Sequence, residues 1–193
     1  MRVVIIAEAG VNHNGSLKIA KKLVDVAKLA RADYVKFQSF THDKLVTKNA
    51  PKANYQKSNH NTKETQNSML QKLQLSSLDH LKLITYCKNK KINFLSTAFD
   101  EDNLKFLIEN KIKFIKIPSG EITNLPLLKY IKKQKKKILL STGASTLKEV
   151  EQAIKILNKS KKNITVLQCN SAYPTPIDDL NLRTLNTFMK KFN

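Results

Sequence analysis

An α/β fold built toward a TIM-type (β/α)8 barrel is what this sequence predicts, and three observations predict it. Six short apolar, β-branched runs recur along the chain, most followed by an amphipathic stretch with a period near 3.6 residues. Alternation of that kind gives parallel strands covered by helices. Glu8, Lys36, Gln38, Thr97, Lys116, Ser141 and Ser171 stand at or just beyond the carboxyl ends of different runs. An open sheet gathers its ligand residues at one switch point, whereas a barrel gathers them from many strands. The third observation is that the four glycines, Gly10, Gly15, Gly120 and Gly143, all fall in these strand-to-helix loops.

Val3–Ala7 is the first predicted strand, leading into the loop from Glu8 to Gly15. Ser16 caps a helix with Leu17, Ala20, Leu23, Val24, Ala27 and Leu29 on its apolar face. The second strand is Tyr34–Gln38, entered through Arg31-Ala32-Asp33 without the glycine that usually stops a helix. Thr41 to about Ser76 is a polar excursion containing Pro51, Asn54, Tyr55, Asn59, His60 and Asn61, with a short helix expected near Ser68–Leu73. Loops of this length are usually functional lids or partly disordered. Ser77 is expected to cap a helix with Leu78, Leu81, Ile84 and Cys87 on one face. Ile92–Thr97 is the third strand, and Asp100 caps the helix through Leu104, Leu107 and Ile108. Phe114–Ile117 and Lys137–Leu140 are the fourth and fifth strands, separated by a helix near Leu125–Lys133. Thr146 and Glu149 form a capping box for the helix through Val150, Ala153, Ile154 and Leu157. Asn163–Leu167 is the sixth strand, and a last amphipathic stretch carries Leu182, Leu185, Phe188, Met189 and Phe192. A full barrel has eight units and about 250 residues. Residues 1–193 are therefore expected to hold an incomplete barrel domain of about six βα units, truncated before strands seven and eight.

Composition bounds the class. With 41% apolar and 26% charged residues, the chain is a soluble globular type, and no run of about 18 apolar residues predicts a membrane span. The N-terminal run is too short for a signal peptide. Cys87 and Cys169 give neither a disulfide framework nor metal-ligand spacing, which points to reduced thiols and a cytoplasmic setting. Cys169 reads as a core residue. The net charge of +20 is almost all lysine, scattered along helices apart from Lys132–Lys137 and Lys159–Lys162. Nucleic-acid binders concentrate charge, include arginine and interleave aromatics. The pattern favours a solvated lysine surface that attracts anionic substrates.

Chemistry concentrates at Phe114-Ile115-Lys116-Ile117-Pro118-Ser119-Gly120-Glu121. An apolar strand breaks at Pro118 and delivers a cation, a hydroxyl and a carboxylate to one place. Such a set holds an anion and leaves an acid or base beside it. Lys36 and Lys116 lie inside otherwise apolar strands, where an unpaired ammonium is costly. Glu8 follows an apolar run in the same way. Thr97 and Ser141 are open to two readings, as caps of the following helices or as ligand hydroxyls. His13, in a glycine-flanked loop, reads as a loop hydrogen-bonder. Tyr173 beside Pro174 is either a turn aromatic or a substrate contact.

Six blocks carry a resemblance. They are Ile5-Ile6-Ala7-Glu8-Ala9-Gly10-Val11-Asn12-His13-Asn14-Gly15, Val35-Lys36-Phe37-Gln38, Phe94-Leu95-Ser96-Thr97, Lys116-Ile117-Pro118-Ser119-Gly120-Glu121, Leu140-Ser141-Thr142-Gly143 and Tyr173-Pro174-Thr175-Pro176. In order and spacing the chain resembles the sialic acid synthase family, the N-acetylneuraminate and N,N'-diacetyllegionaminate synthases. Ile122-Thr123-Asn124-Leu125-Pro126 leans toward the legionaminate type. The resemblance implies an eight-stranded barrel condensing phosphoenolpyruvate with an N-acetylated hexose to a nine-carbon 2-keto acid and phosphate. The hexose would be N-acetylmannosamine or a 2,4-diacetamido-2,4,6-trideoxymannose. Lys36, Thr97, Lys116, Ser119, Ser141 and Ser171 then resemble the residues that hold phosphoenolpyruvate. Gln38 and Tyr173 resemble residues around the sugar, with Glu8 and Glu121 as catalytic candidates. The resemblance further implies a divalent metal (Mn or Mg), held by histidines on strands seven and eight, and a homodimer for the full-length protein. The C-terminal antifreeze-like domain that follows those strands is likewise expected to be absent from residues 1–193. Ala98 departs from the family, many members having proline there.

The alternatives are a truncated, non-catalytic phosphoenolpyruvate-binding relative, a phosphoenolpyruvate-dependent sugar-phosphate synthase, and a basic nucleic-acid binder. The strand-end constellation favours the enzyme over the last of these.

Overall fold

The computed structural model describes residues 2–52, 64–157 and 163–192. It divides into two compact units, Met1–Ile112 and Lys113–Asn193. Each carries three parallel strands with helices in the crossovers, the βα repeat of a TIM-type barrel.

In the first unit the strands are β1 (Ile6–Gly10), β2 (Tyr34–Ser39) and β3 (Asn93–Ala98), paired in that order. The helices are α1 (Leu17–Leu29), α2 (His42–Leu45), α3 (Gln66–Leu73), α4 (Ser77–Asn89) and α5 (Glu101–Glu109). Ala20, Val24 and Ala27 of α1 and Leu83 and Cys87 of α4 join Val35 and Phe37 of β2 in one apolar cluster. β2 is buried throughout except at Gln38, as expected for a strand covered on both faces. Glu8 stands opposite Lys36, and the register shifts immediately afterwards so that Gly10 faces Phe37. On the other side Gln38 stands opposite Thr97.

In the second unit β4 (Phe114–Ile117), β5 (Lys137–Ser141) and β6 (Ile164–Leu167) pair in order. A 3-10 turn, Ser119–Glu121, follows β4, and the helices are α6 (Leu125–Lys132), α7 (Leu147–Leu157) and α8 (Thr184–Phe192). Ile115, Ile117, Leu128, Ile131, Ile138, Leu140, Val150, Ala153 and Leu157 are buried. The expected capping box at α7 forms: Thr146 Oγ1 accepts the Glu149 N–H at 3.3 Å, and Glu149 Oε2 accepts the Thr146 N–H at 2.7 Å.

Several expectations shift. β1 begins at Ile6 rather than Val3, and Val3, Val4 and Ile5 are more than half exposed. The Asp33 carboxylate takes the Ile5 N–H at 2.9 Å, just before β2 begins. Leu29 lies outside the apolar face of α1 and is exposed. Helix α4 is capped by Ser76, not Ser77, and its buried face is His80, Leu83 and Cys87, leaving Leu78 and Leu81 exposed. The rotation follows from His80, whose Nδ1 donates to the Ser76 carbonyl at 3.0 Å. Its Nε2 accepts from Ser39 Oγ at 2.9 Å, and the Ser39 hydroxyl in turn meets Ser96 Oγ at 2.7 Å. A polar residue fully satisfied in this way takes a core position that an apolar count assigns elsewhere. Asn54, Tyr55, Asn59, His60 and Asn61 of the polar excursion, and the Lys159–Lys162 cluster, lie outside the described residues.

Three helices close on a left-handed residue other than glycine. Arg31 (φ 58°), Lys91 (φ 54°) and Lys111 (φ 62°) all take the left-handed conformation. The two-bond closure that goes with it is present each time, as in Ala32 N to Ala27 O at 3.1 Å with Arg31 N to Lys28 O at 3.0 Å.

Candidate active site

Two polar clusters form at the carboxyl ends of the strands, one in each unit. In the first unit Lys36 extends from the middle of β2, and its side chain is only 11% exposed. Its ammonium meets Glu8 Oε2 at 2.5 Å and donates to Thr97 Oγ1 at 3.3 Å. An ammonium this deep needs such partners, because the loss of its hydration is otherwise uncompensated. Gly10, at φ +51°, turns the chain beside them. A Cβ there would lie 3.4 Å from Glu8 Oε1 and 3.7 Å from Gln38 Nε2, so both side chains reach over this glycine. Thr97 therefore does not cap the following helix; Asp100 does, its Oδ1 accepting the Asn103 N–H at 2.9 Å.

In the second unit the Lys116 ammonium donates to Ser141 Oγ at 2.6 Å and to the Ile117 carbonyl at 3.0 Å. Ser141 closes β5 and is buried, and Thr146 rather than Ser141 supplies the cap of α7. Two residues on, Gly143 sits against two more hydroxyls. Its N–H donates to Ser119 Oγ at 2.9 Å. A Cβ at Gly143 would stand 2.9 Å from Ser119 Oγ and 2.9 Å from Ser171 Oγ, so the missing side chain is what lets both serines close in. Glu121 Oε2 accepts from Asn124 Nδ2 at 2.6 Å, and Asn124 Oδ1 caps α6 by accepting the Leu127 N–H at 3.1 Å. The carboxylate is thereby tied to a helix start. Tyr173 is 71% exposed.

One sequence expectation is corrected here. Cys169 does not sit in the core; it is half-buried, and its thiol donates to Ser141 Oγ at 3.1 Å. Its only sequence signal is its place two residues past the end of β6. Cys87 is the core thiol, its pKa pushed up to about 12 by burial. His13 is fully buried, and its Nδ1 accepts the Gly15 N–H at 3.1 Å. Burial, helped by the charge of His80, lowers its pKa to about 4.

Lysine ammoniums, serine and threonine hydroxyls and a backbone turn make an anion-binding set. A carboxylate in each unit can move a proton or steady a developing cation. Among the described residues no three His, Cys, Asp or Glu side chains are grouped so as to hold a metal ion. The implied divalent metal thus fits no described group. A groove of about 480 Å³ runs beside Lys148, Glu151, Ile154, Ile164, Val166 and Phe192. Among the described residues its close charge pair, Lys191 with Glu151, is already satisfied, and its lining includes none of the strand-end residues above. No helix among the described residues is long and apolar enough to cross a membrane.

Known proteins resemble this chain over nearly its whole length. The N,N'-diacetyllegionaminic acid synthase of Campylobacter jejuni is 46% identical over 99% of this chain and 58% of its own length. The protein of the same name from Legionella pneumophila is 45% identical over 100% of this chain and 55% of its own. The chain thus spans a little over half the length of these curated relatives. The crystal structure of an N-acetylneuraminic acid synthetase from Leptospira borgpetersenii, in complex with citrate, superposes with a TM-score of 0.85 at 30% identity. It covers 100% of this chain and 62% of that one. The NeuB family matches residues 23–193, from within α1 through β2 to α8 and so through most of both clusters, and the chain belongs to that family.

Proposed function

We propose that this chain carries the phosphoenolpyruvate-handling part of a nonulosonate synthase of the N,N'-diacetyllegionaminate or N-acetylneuraminate type. The observation that carries the reading is the same in each unit: a lysine within a strand, hydrogen-bonded to a hydroxyl from the neighbouring strand. Phosphoenolpyruvate brings a carboxylate and a phosphate, and cations with hydroxyl donors at strand ends suit both. Lys36 with Thr97, and Lys116 with Ser119, Ser141 and Ser171, are assigned to those anionic groups. Gln38 and Tyr173 are assigned to the sugar. The names of the relatives favour an N-acylated hexose as the second substrate.

In the reaction proposed, C3 of phosphoenolpyruvate bonds to the aldehyde carbon of the open-chain sugar, and the aldehyde oxygen takes a proton. Water adds to the cationic C2 and loses a proton, and phosphate leaves from the same carbon to give the 2-keto acid. Glu8 and Glu121 are assigned to stabilising the C2 cation and carrying these protons. Lys36, paired with Glu8 at 2.5 Å, keeps that carboxylate beside the binding cluster.

The test is phosphate release in the presence of Mn or Mg, with phosphoenolpyruvate and either N-acetylmannosamine or 2,4-diacetamido-2,4,6-trideoxymannose. Release that requires both substrates supports the reading, and preference for a phosphorylated sugar moves it to a sugar-phosphate synthase. Binding of phosphoenolpyruvate without turnover under any combination moves it to a non-catalytic relative. Undiminished turnover by Lys116→Ala would remove the site assignment.

A further inference from the structure

Ser141 Oγ sits between two donors. The Lys116 ammonium, which can only donate, meets it at 2.6 Å, and the Cys169 thiol meets it at 3.1 Å. A serine hydroxyl has two lone pairs and one proton. Both lone pairs are therefore occupied, and the proton must go to a third group. Among the described residues Ser141 donates to none.

We infer that Cys169 is a positioning residue for anion binding: its thiol fills the second lone pair of Ser141 and turns the hydroxyl proton toward an oxyanion of the ligand. The inference rests on the phosphoenolpyruvate reading for the identity of that ligand. Without the thiol, the Ser141 proton has a second way to lie and spends less time aimed at the anion. The neighbouring Ser119 is set in a related manner, because the Gly143 N–H takes one of its lone pairs at 2.9 Å. The strand end then presents hydroxyl protons rather than lone pairs, as an anion requires. Cys87, buried in the apolar cluster of the first unit, has no comparable partner among the described residues.

The test compares Cys169→Ala with Cys169→Ser in the intact chain. Titration calorimetry with inorganic phosphate and with phosphoenolpyruvate reads binding directly, and steady-state kinetics reads KM for each substrate. Cys169→Ala is expected to weaken both anions about tenfold, the size of one oriented hydrogen bond, while KM for the sugar stays unchanged. Cys169→Ser, which keeps a donor, is expected to return within about twofold of wild type by the same argument. A packing role would instead lower the melting temperature in both variants without separating the two substrates. Equal anion binding by Cys169→Ala and wild type, or failure of Cys169→Ser to improve on Cys169→Ala, overturns the inference. Wild-type turnover judges the synthase reading separately: phosphate binding that follows the thiol in a chain without turnover keeps the positioning role and removes the reaction. A wild type that binds neither anion ends both.

Discussion

Replacing Gly143 by alanine tests the tightest point of the second cluster. Gly143 does not take a positive φ, so the added methyl meets no backbone strain and acts through space alone. It would stand 2.9 Å from two hydroxyl oxygens, Ser119 Oγ and Ser171 Oγ, and 3.3 Å from the Asn170 carbonyl carbon. Those gaps are several tenths of an ångström inside an ordinary contact, so at least one serine has to rotate away. Rotation of Ser119 breaks its bond from the Gly143 N–H, worth about 1 kcal/mol, and crowding adds about as much again. A destabilisation of about 2 kcal/mol is expected, lowering the melting temperature by roughly 4–8 °C for a chain of this size. Phosphoenolpyruvate affinity is expected to fall further, by about tenfold where one of the two hydroxyls assigned to the anion moves and by about a hundredfold where both do. Gly120→Ala is the control: a Cβ there meets nothing within 4 Å, so binding is unchanged and stability shifts only by the small gain, about 0.4–1 kcal/mol, of removing a glycine's freedom from the unfolded chain. Calorimetric melting and anion titration of the two variants settle the matter. Gly143→Ala melting and binding like Gly120→Ala refutes the close-approach argument.

Gly15→Ala is expected to be far worse, costing more than about 3 kcal/mol, because a Cβ at φ +73° would sit 2.2 Å from the Lys72 carbonyl oxygen; soluble yield and urea unfolding check it. Arg31→Gly, Lys91→Gly and Lys111→Gly are expected each to stabilise by about 0.5 kcal/mol, since relief of the left-handed cost slightly exceeds the entropy added to the unfolded chain. A loss of stability in any of them on urea unfolding counts against the closure described. Stability is also expected to fall with acid. The unfolded chain takes up a proton at His13 as pH drops through 6.5, whereas the folded one refuses it until about 4. That contribution is complete above pH 6.5 and shrinks by about 2 kcal/mol on going to pH 5, with His80 acting in the same direction. Urea midpoints of wild type and His13→Gln at pH 7 and 5 check the sign; identical slopes for the two would refute it.

Periodicity locates a strand best where chemistry as well as pattern bounds it. Phe114–Ile117 stops where Pro118 removes a donor, and that strand matches the expectation residue for residue. At the N-terminus no such boundary exists, and three apolar residues, Val3 to Ile5, look like strand although β1 starts only at Ile6. Helix α4 misleads for a different reason. Its periodicity counts apolar residues, but His80 takes the central core position by way of hydrogen bonds to Ser39 and Ser76 that join residues far apart in sequence or outside the pattern. A buried, satisfied polar residue is invisible to a hydrophobicity count.

The candidate site is half legible for the same reason. A lysine inside an apolar strand announces that it is buried, and burial requires a partner, so Lys36 and Lys116 stand out from the residue pattern alone. The identity of the partner depends on register. Glu8 lies opposite Lys36 only because the irregularity of β1 falls after Glu8; a slip of one residue would set Ala7 or Ala9 there and turn the carboxylate to the other face. Lys116 shows the same dependence in another form. Its register partner is Leu139, yet its ammonium reaches two residues further to Ser141, at the very end of β5. Length and flexibility of the lysine side chain decide that contact, not strand pairing. Cys169 then follows from Ser141, being the group that shares the same oxygen. Polar groups at strand ends are therefore readable as a set from sequence, while their pairing is a property of register and reach, which is why a thiol expected in the core is instead hydrogen-bonded to Ser141, the serine proposed to bind the anion.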